Sequence, residues 1–206
     1  SEPEMRLAIE AVLADLDETD ARAAYRAIAR ANPGGLGSAP REDVRAEPTV
    51  TLRAAMALAA HRDRIGLLYR DGYGALFDIG VAALGDDFRL TEAQAAHRSA
   101  VVDVALPVPP TRRAVLRCYL ALLSHAPDSH IVRKRGAGPA QTVMVTAARW
   151  AVDPRLTTAD PGLELDPVFV EWDESLKSEG LNPGTTADMT VASMLLALIT
   201  QPRSRA

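Results

Sequence analysis

The chain has 206 residues, of which 48% are hydrophobic and 4% aromatic, and its formal net charge is −4. This length is enough for one sizeable core, and the apolar content excludes a disordered chain. The negative charge gives no electrostatic footprint for nucleic acid, and a single cysteine excludes an internal disulfide framework and a cysteine metal cluster.

Two helices and a loop are predicted for residues 1–48. Apolar residues at helical spacing predict a helix over 4–16 and, after a polar break, another over 21–31. The glycine-rich stretch 32–37 ends the second helix. It is either an ordinary helix stop followed by a turn or a substrate-facing, anion-binding loop. Polar residues over 38–48 predict a surface connection or a lid.

Residues 49–84 form the longest predicted helical region, with a break at the glycines of 71–74. A dense charged run, 61–64, lies inside it. Charged groups are rarely buried unpaired, so at least one of Arg62 and Asp63 is expected to point into a site or a paired cluster. The alternative is a solvated stripe on an ordinary helix.

Further helices are predicted in the second half of the chain, and a connector rich in Pro, Thr and Asp joins the last two. The predicted helices span 91–106, 111–124, 141–152 and 169–179, and the connector spans 153–167. Prolines at 107, 109 and 110 end the first of these helices.

A turn followed by a basic stretch occupies residues 126–136. Arg133 and Arg135 lie beside a glycine there, an arrangement that suits a polyphosphate because a guanidinium forks onto phosphate oxygens. The alternative is an exposed basic surface loop.

The turn 181–188 feeds the apolar run 189–199, which predicts a helix buried on nearly all sides. Thr185 or Thr186 can cap this helix, and Asp188 falls in its first turn. A Gly-Thr-Thr turn at a helix start also offers amides and hydroxyls to a phosphate. Local sequence leaves both interpretations open, a capped core helix or a phosphate site.

No segment alternates at period two, so the predicted fold is all-α, a multi-helix orthogonal bundle in a single domain over 1–206. Within it, 1–48 forms two helices and a loop, and 49–206 forms the main core. The sequence shows no signal peptide, and its longest apolar run is too short to cross a bilayer. We therefore predict a cytoplasmic protein with no membrane partner.

Four stretches in chain order resemble the triphosphoribosyl-dephospho-CoA synthase family: 31–37, 59–65, 127–131 and 181–188. The most specific is Asn182-Pro183-Gly184-Thr185-Thr186-Ala187-Asp188. The resemblance runs from about Ala21 onward. It is strongest to the branch found in methylotrophic bacteria beside genes for tetrahydromethanopterin-linked one-carbon metabolism. It implies an all-helical transferase that moves the triphosphoribosyl group of ATP to a dephospho-CoA-like acceptor and releases adenine.

One departure from the family pattern concerns the beginning of the chain. Family members begin upstream with a Lys-Pro-Gly-type loop and an Asn-Thr-rich helix start, and neither occurs here. We expect the chain to be the C-terminal two-thirds of the family fold. Either it is a piece, or its other half is a separate partner chain, or those elements were lost; a homo-oligomer is the other expected assembly. The alternative function is a non-catalytic helical subunit that binds a nucleotide or a partner in tetrahydromethanopterin or methanofuran biosynthesis.

The resemblance also implies ATP as a substrate, Mg²⁺ as its metal and a set of site residues. Asp188 is expected to bind Mg²⁺ or orient the ribose and is a candidate catalytic residue. Asp63 is expected to act with Arg62 as an acid or base or as a second metal contact. The residues expected to hold the nucleotide phosphates are Asn182, Gly184, Thr185, Thr186, Arg62, Arg133 and Arg135.

Overall fold

The computed structural model describes residues 1–31, 37–85, 88, 112–157 and 162–200, and in this part every regular element is a helix. The all-α, single-domain prediction is therefore confirmed. The helices are α1 (Glu2–Asp15), α2 (Glu18–Ala31), α3 (Leu52–Leu58), α4 (Arg64–Arg70), a π-helix (Leu76–Val81) continued by α5 (Ala82–Leu84), α6 (Arg112–His125), α7 (Ser129–Arg135), α8 (Ala137–Ala151), α9 (Pro167–Ser178) and α10 (Gly184–Thr200), with 3₁₀ turns at Pro154–Leu156 and Leu163–Leu165.

Aspartate side chains set several of the helix starts. A carboxylate placed before the first turn satisfies amides that have no partner inside the helix. Asp63, Asp128 and Asp166 each accept two such amide bonds, at the starts of α4, α7 and α9 respectively.

The region 49–84 is more interrupted than predicted. α3 ends at Leu58, and α4 begins only at Arg64, because the Asp63 carboxylate accepts the Ile65 and Gly66 amides and starts a new helix. The charged run 61–64 therefore lies at a turn and not inside a helix. The predicted break at 71–74 is present, with positive φ at Gly72 and Tyr73.

Helix α6 separates two apolar cores. One of its faces packs with the π-helix and α10, burying residues such as Leu122, Phe77 and Met189. Its other face packs with α7, α8 and α9 around residues such as Leu120 and Ile131. This arrangement brings the starts of α7 and α10 to the same region as α4.

Helix α10 is more exposed than its composition predicts. Val191, Leu195 and Ile199 are 66%, 59% and 48% exposed and recur every fourth residue. The expectation of a helix buried on nearly all sides is therefore wrong, because an apolar composition does not specify which faces neighbouring helices cover. The predicted helix over 91–106, its proline stop and residues 32–36 lie outside the described residues.

An arginine joins two aspartates in the connector before α9. Arg155 donates to Asp153 and to Asp166, and these bonds hold the pKa of both carboxyls below the ordinary value. A lowered folded-state pKa stabilises the fold above the unfolded-state pKa, and this stabilisation is lost as the pH falls through the folded-state value.

We expect Arg155→Gln to destabilise the protein near pH 7, and the difference from the wild type to shrink as the pH falls below the ordinary carboxyl pKa. Urea unfolding at pH 7 and at pH 3 measures the difference in unfolding free energy between the wild type and the variant. The exposed Arg149→Gln is the control. An equal difference at both pH values would show that the two carboxylates are not the partners that matter.

Candidate functional site

A cleft of about 700 Å³ opens between loop 37–44 and helices α2, α3, α4 and α7. Its walls are largely apolar, and its charged lining residues lie on the loop, in the turn before α4 and on α7. The apolar walls include Tyr25, Ile28, Leu52, Met56, Ile65 and Val132. The polar and charged lining residues are Ser38, Arg41, Glu42, Asp43, His61, Arg62, Asp63, Ser129 and Arg133.

The carboxylates of the loop are bonded to the protein's own groups. Glu42 accepts from the amide and hydroxyl of Thr49 at 3.0 and 2.6 Å, and these bonds lower its pKa. Asp43 accepts from the Ala39 and Arg45 amides at 2.8 and 3.0 Å, and its pKa is lowered as well. Both acids therefore stay ionised and fold the loop that forms one wall of the cleft.

The arginines that line the cleft have no carboxylate partner among the described residues. Within the described ranges, Arg41, Arg62 and Arg133 form no ion pair, and this is also true of Arg135 and Arg149 on other surfaces. What distinguishes the three is that they line one cleft. Positive side chains without a protein counterion, grouped on one concave surface, are available to a bound anion.

Arg133 provides the most specific sign of a missing partner. Its Nε is buried and has no hydrogen-bond partner among the described residues, and its Nη2 lies 3.4 Å from His130 Nδ1. A buried donor without a partner costs about 1–3 kcal/mol, a cost that a bound acceptor would remove. The sequence predicted this residue as a phosphate ligand but placed it in a loop; it lies in the last turn of α7, because Asp128 caps that helix.

The turn predicted to hold phosphate is bonded within the protein. The Gly184 amide donates to the Asn182 carbonyl at 2.8 Å. The Thr186 amide and hydroxyl donate to Asp128 Oδ2 at 2.7 and 2.8 Å, and Thr186 is fully buried. The anion at the start of α10 is therefore the Asp128 carboxylate, and Gly184 and Thr186 have no free donor for a phosphate.

The remaining predicted residues divide between the cleft and other surfaces. Arg62 and Asp63 line the cleft with Arg133. Asn182 and Asp188 are exposed and are not among its lining residues. Arg135 is also exposed and donates weakly to the Gly180 carbonyl at 3.4 Å. Thr185 is 7% exposed, and its hydroxyl lies 3.0 Å from that of Ser129.

No group of three potential metal ligands occurs in the part of the chain that the structure describes. On the cleft, Glu42 and Asp43 are engaged in folding their loop, and Asp63 alone keeps a carboxylate oxygen that bonds no described residue. Asp188 is a single exposed carboxylate away from the cleft. These donors do not fit a resident Mg²⁺ ion.

Sequence reasoning missed Arg41 and the apolar walls of the cleft. It also missed the partners of Thr186, since Asp128 lies 58 residues away in the chain. An Asp-Ser pair shortly before the apolar residues Ile131 and Val132 is a capping signal, and this signal could have predicted α7. No local pattern predicted that Arg64 is 6% exposed.

Comparison with known proteins identified one family. The family model CitG, described as ATP:dephospho-CoA triphosphoribosyl transferase, matches residues 2–206. No curated protein matched the chain, and neither did any solved structure. Across the described residues, none of the helices has the length and apolar character needed to cross a membrane.

Proposed function

The chain belongs to the ATP:dephospho-CoA triphosphoribosyl transferase family, and from this premise we propose that its cleft binds ATP for transfer of the triphosphoribosyl group. The observation that carries the proposal is the buried Nε of Arg133, which has no partner in the part of the chain that the structure describes. It lies on the same cleft as Arg41 and Arg62, which form no ion pair with a described residue. We propose that these arginines neutralise the triphosphate, while the apolar walls accommodate the adenine base.

The chemistry of transfer explains what the cleft has to provide. The bond between the anomeric carbon and adenine N9 breaks, and a bond from that carbon to an acceptor hydroxyl oxygen forms. The hydroxyl proton ends on the departing adenine, so atoms and charge balance. Positive charge develops on the ribose in the transition state, and proton transfer assists both the leaving and the attacking group.

Asp63 is the proposed acid–base residue on the cleft. Its Oδ1 accepts the Ile65 and Gly66 amides at 2.8 and 3.0 Å. Its Oδ2 has no hydrogen bond to another described residue and is the oxygen available to the ribose or to the acceptor hydroxyl. The family description supports an acceptor that resembles dephospho-CoA.

Magnesium enters the proposal only as the ion that accompanies ATP. Mg²⁺ commonly binds nucleotide phosphates with few protein ligands and keeps several waters. The donor set around the cleft does not supply a dedicated metal site, so no step of the proposed mechanism depends on one. The predicted role of Asp188 remains a prediction.

We expect Arg133→Ala to weaken ATP binding about 10- to 100-fold, because it removes a charge-assisted contact worth about 1.5–3 kcal/mol. Calorimetric titration with Mg·ATP measures the affinity. Arg133→Lys should fall in between, since lysine keeps the charge but not the planar fork. Arg149→Ala, an exposed arginine on α8, is the matched control and should bind ATP as the wild type does. Equal affinities for Arg133→Ala and the wild type would remove Arg133 from the site.

The alternative of a non-catalytic nucleotide-binding subunit makes a different prediction. Both functions predict the same ATP affinities in the titration. A non-catalytic subunit would bind ATP and leave it intact after the acceptor is added. A proposed role in coenzyme biosynthesis is supported by the family match. The proposed link to one-carbon metabolism and to a partner chain or a second copy is supported by the sequence resemblance alone, and the proposed cytoplasmic location by the sequence patterns described above.

A further inference from the structure

Three helices begin at one buried polar cluster. We define this cluster as Arg64 of α4, Asp128 and Ser129 at the start of α7, and Thr185 and Thr186 of α10. These side chains are between 0% and 7% exposed. Such a group of polar residues is unusual in the interior of a helical domain, where apolar side chains normally fill the space.

Thr186 joins the two charged members of the cluster. Its hydroxyl donates to Asp128 Oδ2 at 2.8 Å and accepts from Arg64 Nη1 at 3.2 Å. A hydroxyl has one donor and two acceptor positions, so both bonds form at once and fix its orientation. The charges of Arg64 and Asp128 are thus connected through a neutral side chain.

Ser129 provides a second connection within the cluster. Its hydroxyl accepts from the Arg64 amide at 3.3 Å and lies 3.0 Å from the Thr185 hydroxyl. The start of α4 is therefore bonded to the starts of both α7 and α10 through side chains of fixed geometry.

Stability alone does not account for this arrangement. Removing a guanidinium and a carboxylate from water costs free energy that a hydrogen-bonded link only partly returns, and apolar replacements of such groups are often neutral or stabilising. Burial lowers the pKa of the Arg64 guanidinium, and the charge of Asp128 opposes this shift. What hydrogen bonds add over apolar contacts is a defined direction and separation for the groups that they join.

The helix starts that the buried polar cluster joins lie next to charged residues of the cleft. Arg62 and Asp63 immediately precede Arg64, and Arg133 lies one helical turn after Ser129 on α7. A shift of α4 relative to α7 would change the distance between Arg62 and Arg133.

We propose that Arg64 and Thr186 are positioning residues, which hold Arg62 and Arg133 at the separation that a polyphosphate needs. This inference rests on the proposed function for the identity of the ligand, but the separation itself can be measured without any ligand. Neither Arg64 nor Thr186 lines the cleft, so the two residues act through the helices that they connect.

The test compares Thr186→Val, which removes the hydroxyl and keeps the shape and the amide bond to Asp128, with Thr186→Ser, which restores the hydroxyl. Spin labels at His61→Cys, in the turn that precedes α4, and at Lys134→Cys on α7 report the separation of these two segments in the absence of ligand. Because His61 lines the cleft, affinities are measured on the unlabelled proteins that keep His61. Cys118 is fully buried and does not compete for the label. Thr190→Val is the matched control, because its buried hydroxyl donates to the Thr186 carbonyl of its own helix and bonds Cys118 of α6, and among the described residues it bonds neither Arg64 nor Asp128.

We expect Thr186→Val to broaden or shift the distance distribution and to raise the dissociation constant for inorganic tripolyphosphate about tenfold, the equivalent of one lost hydrogen bond. Thr186→Ser and Thr190→Val should keep both values near those of the wild type, with all proteins measured well below their melting temperatures. A wild-type distance distribution in Thr186→Val overturns the inference. If the wild type does not bind tripolyphosphate, the proposed function fails, and the distance measurement still decides the positioning role.

Discussion

Replacing Asp128 with alanine is expected to cost about 3–5 kcal/mol of unfolding free energy, the range for leaving a buried charge without the opposite charge that compensates it. The Asp128 side chain is fully buried and accepts four hydrogen bonds. Two come from the His130 and Ile131 amides at 2.8 and 3.2 Å, and two from the amide and hydroxyl of Thr186. The variant leaves all four donors without their acceptor and removes the negative charge that acts on the buried Arg64 guanidinium. Since whole domains are stable by only about 5–15 kcal/mol, this loss is a large part of the total.

Urea unfolding followed by circular dichroism measures the effect, and Asp166→Ala provides the comparison. Asp166 also accepts two amides at a helix start and pairs with Arg155, but it is partly exposed and, among the described residues, bonds the start of no second α-helix. Its loss should cost about 1–2 kcal/mol, as for an ordinary cap. If the two variants were equally destabilised, the buried polar cluster would contribute no more than a single surface cap.

Replacing Gly66 with alanine is expected to destabilise the protein by about 1–3 kcal/mol, the usual cost of overpacking. A Cβ at Gly66 would lie 2.6 Å from the Met56 carbonyl oxygen and 3.3 Å from two atoms of Ala59. The nearest of these atoms belongs to the backbone, so α3 and α4 would have to move apart. The direction of the stability change is informative, because alanine is otherwise favoured over glycine in a helix by about 1 kcal/mol.

Gly138→Ala is the matched control for Gly66→Ala. Gly138 lies on α8, and nothing is within 4 Å of a Cβ built there. This variant should have the same or a higher melting temperature than the wild type. Gly66→Ala should also weaken ATP binding, since α3 and α4 both contribute lining residues to the cleft. A melting temperature that rises in both variants would contradict the close approach of α3 and α4.

Local sequence was informative where a single residue or a short pattern determines the backbone conformation. Helical spacing and polar breaks predicted α1, α2, α6 and α8 to within a few residues, and the glycines predicted the break after α4. The charged run at 61–64 was misplaced inside a helix, because its composition resembles that of an exposed helical face. In the structure α3 ends at Leu58 and the Asp63 cap starts α4, so the run lies in the turn between two helices.

The site depended on contacts that no local pattern contains. Arg62 and Arg133 are 71 positions apart in the chain and share a cleft only because α4 and α7 start side by side. The turn before α10 has the composition of an anion site, and the anion that it holds in the structure is Asp128. Sequence alone could not distinguish a carboxylate of the same chain from a phosphate, because both satisfy the same amide and hydroxyl donors.

Release of adenine from ATP tests the proposed transferase activity most directly. The protein is mixed with Mg·ATP and 3′-dephospho-CoA, and bases and nucleotides are separated by chromatography over time. The proposal predicts that free adenine appears in step with the loss of ATP, without ADP, and that Arg133→Ala slows its release while Arg149→Ala does not. ATP that binds but is recovered intact after the acceptor is added, or that yields ADP and phosphate in place of adenine, would contradict it.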